Sequence, residues 1–213
     1  MARVLLLHGL GGTGATMRPL AAGLRALGHE VHAPTLPGHG TNPEALLSVG
    51  WADWLATALE WPADVVVGQS MGGALALAVA AAGGCRAVVA INTPPPDPDA
   101  VDGLEWRRSR GHDWVDGPPL ADGEEGYAAS PIHALLEMAR GTLAIDLAAV
   151  VVPVLLVNSA DDDVVDPAGA DIIAAYVAGP ATRVVLSRAG HVATLGPARE
   201  QLLDEVARFI TSC

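Results

Sequence analysis

A serine between glycines, a late histidine and a run of aspartates have the types and spacing for nucleophilic chemistry. Ser70 lies in Gly68-Gln69-Ser70-Met71-Gly72-Gly73, after the short run Asp64–Val67 and before the alanine-rich stretch Met71–Ala82. That is the strand–turn–helix setting in which G-x-S-x-G acts as a nucleophile elbow. The serine must sit in a strained turn for its Oγ to project from the sheet edge. Side chains two residues to either side would collide, hence Gly68 and Gly72. A hydroxyl is a weak nucleophile without a base. His191, in Ala189-Gly190-His191-Val192, follows the last apolar run, Thr182–Leu186, and so falls on the same sheet edge as Ser70. An acid must then orient the imidazole. Asp161, Asp162, Asp163 and Asp166 all follow the run Val154–Asn158, and the residues alone leave the choice among them open. Asp166 also stands where it can cap the next helix. Two backbone N–H groups would hold a developing oxyanion. Leu10, in His8-Gly9-Leu10-Gly11-Gly12, can supply one; Met71, at the head of the helix after Ser70, can supply the other. His29, His32, His112 and His133 carry no partner motif, and no further ligands are spaced with His29-x-x-His32, so no metal site is expected.

These residues need strands that end along one edge. Short β-branched or leucine-rich runs occur at Val4–Leu7, Glu30–Ala33, Asp64–Val67, Arg86–Ile91, Val154–Asn158 and Thr182–Leu186. They alternate with helical stretches at about Thr16–Leu27, Trp51–Leu59, Met71–Ala82, Pro167–Val177 and Pro197–Ile210. The alternation predicts an α/β fold, a mostly parallel sheet with helices on both faces. Asp166-Pro167 and Gly196-Pro197 put proline where a helix can begin, and Gly28 can close the first helix. The alternation breaks between Thr93 and Val152. Pro94-Pro95-Pro96-Asp97-Pro98 is expected to continue neither strand nor helix. A turn is expected at Gly117-Pro118-Pro119, and a helix from Pro131 to about Arg140. No linker composition isolates this stretch. The reading is therefore one domain over residues 1–213, with residues 93–152 inserted between two strands of one sheet.

Composition excludes several classes. The chain has 213 residues, 51% hydrophobic and 17% charged, which is enough to bury a core. Its net charge of -12 repels phosphate backbones and anionic lipid, so no nucleic-acid or membrane-surface partner is expected. All 12 basic residues are arginine, which rules out a P-loop lysine and any Schiff-base lysine. Cys85 and Cys213, the two cysteines, form no disulfide framework or zinc motif. The longest apolar run, Ala74–Ala82, is about half a membrane span, and Met1–Leu7 is too short for a signal peptide. A soluble, cytoplasmic chain, monomer or homodimer, is expected.

With these residues assembled, the chain resembles the α/β-hydrolase family, and within it the small bacterial carboxylesterases and monoacylglycerol lipases. The matching stretches are Val4-Leu5-Leu6-Leu7-His8-Gly9-Leu10, His32-Ala33-Pro34-Thr35-Leu36-Pro37-Gly38-His39-Gly40, Gly68-Gln69-Ser70-Met71-Gly72-Gly73 and Gly190-His191, with Ser, Asp and His in that order. The resemblance implies a serine hydrolase acting on carboxylic esters through Ser70, Asp162 and His191, with no cofactor. Its spacing of acid to proline is what selects Asp162; a glycine common three residues earlier is Ser159 here. It also implies that residues 93–152 form a short cap over an acyl pocket. Trp106 and Trp114 are then expected to be buried against the cap or a ligand. Leu10, Met71 and Val192 would floor a pocket for short to medium apolar acyl chains. Arg107, Arg108 and Arg110 form a solvated face or, alternatively, a docking site for the anionic part of a CoA thioester. A thioesterase or acyltransferase could use the same triad. A dinucleotide-binding oxidoreductase is the other alternative, because Gly9-Leu10-Gly11-Gly12-Thr13-Gly14 fits G-x-G-x-x-G.

Overall fold

In the computed structural model, which describes residues 1–117, 119–120 and 124–213, all six expected runs form strands. The turn expected at Gly117-Pro118-Pro119 lies partly outside the described residues. The strands are β1 (Arg3–Leu7), β2 (Glu30–His32), β3 (Val65–Gln69), β4 (Ala87–Ile91), β5 (Trp114–Asp116), β6 (Ala129–Pro131), β7 (Val154–Ser159) and β8 (Ala181–Leu186). Six of them make one sheet in the order β2-β1-β3-β4-β7-β8, every neighbouring pair parallel. The remaining two, β5 and β6, pair with each other, antiparallel. The chain leaves β1 on one side to make β2 and returns on the other side as β3. Ligands bind at such a reversal, outside the carboxyl ends of the strands. Here those ends are Leu7 and Gln69.

The helices are α1 (Arg18–Ala26), α2 (Trp51–Glu60), α3 (Met71–Ala81), α4 (Pro98–Ser109), α5 (Ile132–Leu143), α6 (Gly169–Tyr176) and α7 (Arg199–Ser212). Period-two alternation sends Leu5 and Leu7 of β1 into one core and Val4 and Leu6 into another, all fully buried. The first core is closed by α2, α3, α5 and α6; α1 and α7 close the second. A side chain of this size contributes about 1.5–3 kcal/mol when fully buried, so both faces must be covered. Helix α3 is apolar all round, and every residue from Met71 to Ala80 is buried. No helix among the described residues is long and apolar enough to cross a membrane.

Two expectations are corrected. Pro98 does not end regular structure; it occupies the first turn of α4, where its missing N–H costs nothing, and the Asp97 side chain caps the helix by accepting from Asp99 N at 2.9 Å. The helices expected from Pro167 and Pro197 begin at Gly169 and Arg199 instead. A turn precedes each, closed by Gly169 N to Asp166 O (2.9 Å) and by Arg199 N to Gly196 O (3.1 Å).

The stretch between β4 and β7 is fastened to the mouth of the sheet. Gly126 bridges Gly12, Tyr127 N donates to Gly11 O at 2.8 Å, and the Tyr127 hydroxyl accepts from Thr41 N at 2.9 Å. Glu125 pairs with Arg18 at 3.2 Å on the surface.

Candidate active site

The turn between β3 and α3 holds Ser70 at φ 55° and ψ -122°, a conformation costly for any residue with a side chain. Three hydrogen bonds keep it there. Ser70 N donates to Ile91 O at 2.8 Å, while Ser70 O accepts from Gly73 N at 2.9 Å and Ala74 N at 3.2 Å. The two glycines are sterically required. A Cβ on Gly68 would collide with the Gly72 carbonyl, and one on Gly72 would strike the carbonyls of Leu7 and His8.

Ser70 and His191 line one small cleft, together with Gly9, Leu10, Glu124 and Val192. His191 Nδ1 lies 3.0 Å from both carboxylate oxygens of Asp162, whose side chain is 1% exposed. A carboxylate can only accept, so Nδ1 of the neutral ring carries the proton and Nε2 is left free to take one. Asp162 Oδ1 also accepts from Val164 N (2.9 Å) and Val165 N (3.0 Å). Burial alone would raise this carboxyl's pKa. The hydrogen bond and charge of His191 and the two backbone N–H groups outweigh that and hold it below the usual carboxylate value. Asp161 and Asp163 are exposed, and Asp166 accepts from Ala168 N at 2.9 Å as a capping side chain would.

The loop that carries Leu10 is held by a residue that sequence reasoning quoted but gave no role. His8 is fully buried. Its Nε2 accepts from Leu36 N at 2.9 Å, so the proton is on Nδ1, which donates to Gly9 O at 2.8 Å. Gly12 N donates to the same carbonyl at 3.1 Å. The Gly9 C=O and Leu10 N–H share one planar trans peptide and point in opposite directions. Fixing the carbonyl therefore aims the N–H. Met71 N–H, first in α3, has no partner within its helix.

Asn92, just beyond β4, was also missed. It is fully buried at φ 46°. Its Nδ2 donates to His191 O at 2.7 Å and Ser159 Oγ at 2.8 Å, and its Oδ1 accepts from Ser159 N at 2.7 Å. One amide thus bolts the histidine loop to the end of β7. Ser159, in place of the glycine, supplies a hydroxyl to this network. On the other side Gln69 Oε1 accepts from Thr194 Oγ1 at 3.2 Å. The sequence signal was polar residues closing otherwise apolar strands.

Of the expected pocket residues, Leu10 and Val192 line the cleft, whereas the Met71 side chain is wholly buried in the core. The tryptophans are corrected. Trp106 is 59% exposed on α4, with Arg110 over its ring at 5.3 Å, and Trp114 is 37% exposed; neither lines the cleft. The physical reason is that α4, which carries Trp106, buries none of its residues, and β5, which carries Trp114, belongs to a separate two-stranded sheet and buries none of its own. Arg108 is paired with Glu105 at 2.7 Å, and Arg140 pairs with the same carboxylate, while Arg110 lies over the Trp106 ring; none of the three expected arginines lines the cleft.

His8 has a consequence for stability. Burial, then the neighbouring His39 ring at 4.8 Å, lowers its pKa from 6.5 to about 3 against the opposing Gly9 hydrogen bond. The unfolded chain takes up a proton that the folded chain refuses. The contribution is intact above ~6.5 and is lost as pH falls towards about 3, up to about 5 kcal/mol in all. His39 shifts in the same direction, chiefly through burial. Urea unfolding from about pH 7 to about pH 4.5 should show stability falling with acid, less steeply in His8→Gln. Equal slopes would refute this account.

The chain belongs to the alpha/beta hydrolase family, whose model matches residues 4–208. It is 32% identical to the thermostable monoacylglycerol lipase of Bacillus sp. (strain H-257) over 225 residues, covering 97% of this chain and 89% of that protein. A carboxylesterase of Bacillus subtilis (strain 168) is 35% identical over 83 residues, covering 35% of this chain and 34% of that one. Among solved structures, one from work on LipS and LipT, two metagenome-derived lipolytic enzymes, superposes with a TM-score of 0.88 at 28% identity, covering 99% of this chain and 94% of the other. Family membership removes the dinucleotide alternative. The fold agrees: a short 3-10 turn, Gly14–Met17, intervenes between the glycine loop and α1, so the loop does not open directly into an α-helix.

Proposed function

We propose that this chain hydrolyses carboxylic esters through an acyl-enzyme on Ser70. The observation that carries the reading is the buried Asp162 carboxylate on His191 Nδ1, with Nε2 left as a base in the same cleft as a strained, exposed-edge serine. Ser70 Oγ attacks the acyl carbon as His191 takes its proton. The carbonyl oxygen becomes an anion beside the N–H groups of Leu10 and Met71. Collapse expels the alcohol, which receives the proton from His191, and water repeats the sequence to free the acid. No cofactor enters these steps.

The relatives named as a monoacylglycerol lipase and a carboxylesterase favour an oxygen ester over a thioester. So does the position of Arg107, Arg108 and Arg110, none of which lines the Ser70 cleft. The acyl half should be short to medium and apolar, against Leu10 and Val192. Glu124 gives the alcohol half a polar neighbour. We place the reaction in the cytoplasm, the compartment that keeps thiols such as Cys85 and Cys213 reduced. Residues 93–152 would act as the cap, and a monomer or homodimer would suffice.

The test is fluorophosphonate labelling read by intact mass and peptide mapping, beside rates on p-nitrophenyl esters of rising chain length, a monoacylglycerol and an acyl-CoA. A label on Ser70 and preference for the oxygen esters are expected; a label elsewhere, or none, would overturn the mechanism. His191→Gln should lower kcat by about 10³-fold or more, because the serine then has no base. Near-native rates in that variant would remove His191 from the role.

A further inference from the structure

The stretch between β4 and β7 reaches the glycine loop after β1 and joins it by a particular peptide. Gly126 bridges Gly12, and Tyr127 N donates to Gly11 O at 2.8 Å. The Gly11 carbonyl and the Gly12 N–H belong to one planar trans peptide and point in opposite directions. That Gly12 N–H donates in turn to Gly9 O at 3.1 Å. The Gly9 carbonyl shares its own peptide with the Leu10 N–H. Three peptide N–H groups, those of Tyr127, Gly12 and Leu10, are thereby joined head to tail, and Leu10 lines the cleft that holds Ser70.

A line of this kind both directs and polarises. Neither intervening peptide can turn without breaking a bond. Accepting at a carbonyl also draws charge from the N–H of the same peptide, which strengthens each successive bond by about 10–30%. Gly11 and Gly12 are buried, where water screens this least. The outer end of the line is itself anchored. The Tyr127 hydroxyl accepts from Thr41 N at 2.9 Å and lies 3.5 Å from the Gly38 carbonyl, and Glu125 pairs with Arg18. There is no slack beside it, since a Cβ on Gly126 would stand 2.6 Å from Gly11 O. A tie that only held this stretch down could end on any carbonyl of the loop. This one ends on the peptide whose N–H bonds Gly9 O, and so acts on Leu10.

We propose that Tyr127 is a positioning residue for ester hydrolysis. Its N–H orients and polarises the Leu10 N–H through the Gly11–Gly12 peptide. The role rests on that of Leu10 as a donor to the oxyanion. It gives the stretch between β4 and β7 a part in the rate of the chemical step as well as in the choice of substrate. An interaction that strengthens only as charge develops raises kcat and leaves KM nearly unchanged.

The direct test replaces Tyr127 by its α-hydroxy acid, which exchanges one N–H for an oxygen and keeps the side chain. With KM unchanged, kcat should fall about 3- to 10-fold. An alkyl trifluoromethyl ketone gives a second readout. Ser70 Oγ adds to its carbonyl carbon and passes its proton to His191, leaving an oxyanion. Affinity for this ketone should fall by the same factor as kcat, while affinity for the matching methyl ketone, which stays trigonal, should hold. In amide spectra of the whole protein the Leu10 proton should move upfield and that of Met71 should stay. If the ester variant fails to fold, Gly126→Ala, which drives a methyl against Gly11 O, decides by the same measurements. An unchanged kcat, equal losses for both ketones, or a Leu10 proton that does not move would overturn the proposal and leave Tyr127 as a fastening alone. Failure of Ser70 to take a fluorophosphonate would refute the esterase mechanism itself. The Leu10 shift, read without substrate, would still show whether the Tyr127 N–H acts on Leu10.

Discussion

Ser70→Ala is expected to lower kcat on any accepted ester by about 10³-fold or more, with KM little changed. The reasoning is that the proposed role of the hydroxyl is in the bond-making step, while the rest of the cleft wall, Leu10, Glu124 and Val192 included, is left unchanged. What survives is the acceleration from the Leu10 and Met71 N–H groups and from binding alone. Folding should not suffer. Alanine at φ 55° meets the same backbone penalty as serine, and the hydrogen bonds that fix the turn are made by its main chain. Initial rates together with the thermal midpoint check both halves. A variant that keeps more than about a tenth of native kcat would mean the serine is not the nucleophile.

Asp162→Asn should also be severe, a loss of about 10⁴-fold in kcat. The asparagine can still accept from Val164 N and Val165 N, so the loop keeps its course. Its amide, turned towards His191, would donate where the carboxylate accepts. That forces the proton onto Nε2 and leaves the ring unable to act as base. The controls are the exposed neighbours: Asp161→Asn and Asp163→Asn should stay within about twofold of native, as surface changes do. Near-native activity in Asp162→Asn with loss in either neighbour would move the acid by one position. Because the carboxyl's pKa is held below its ordinary value, Asp162 also stabilises the folded chain. That contribution is complete above the ordinary carboxylate range and is lost as pH falls through the lowered value.

The strands were legible because both faces of the sheet are covered. Val65–Val67 and Ala87–Ile91 are uniformly apolar, which in so short a run reads as buried parallel strand. Ser70 was legible because steric crowding at the elbow admits glycine alone on either side. Helix α4 was not, since its prolines read as breakers until Asp97 is seen to cap it. The tryptophans misled for a related reason. A large apolar side chain is usually buried, but α4 offers Trp106 no covered face and leaves it under the Arg110 guanidinium, and the short two-stranded sheet that holds Trp114 offers none either.

Sequence alone determined the fold class, the serine, the histidine and the order in which they come, because each depends on local rules: period-two burial, glycine at a crowded turn, a polar loop after an apolar strand. The tertiary structure decided how those parts are aimed. Only there does Asp162, among adjacent aspartates, turn inward to His191. Only there does Asn92 reach across from β4 to the end of β7 and the histidine loop, 67 and 99 residues away along the chain. Only there does a buried, neutral His8 fix the peptide that carries the Leu10 N–H. Orientation depends on hydrogen bonds between segments distant along the chain, and no spacing of residue types records which way a buried side chain will point.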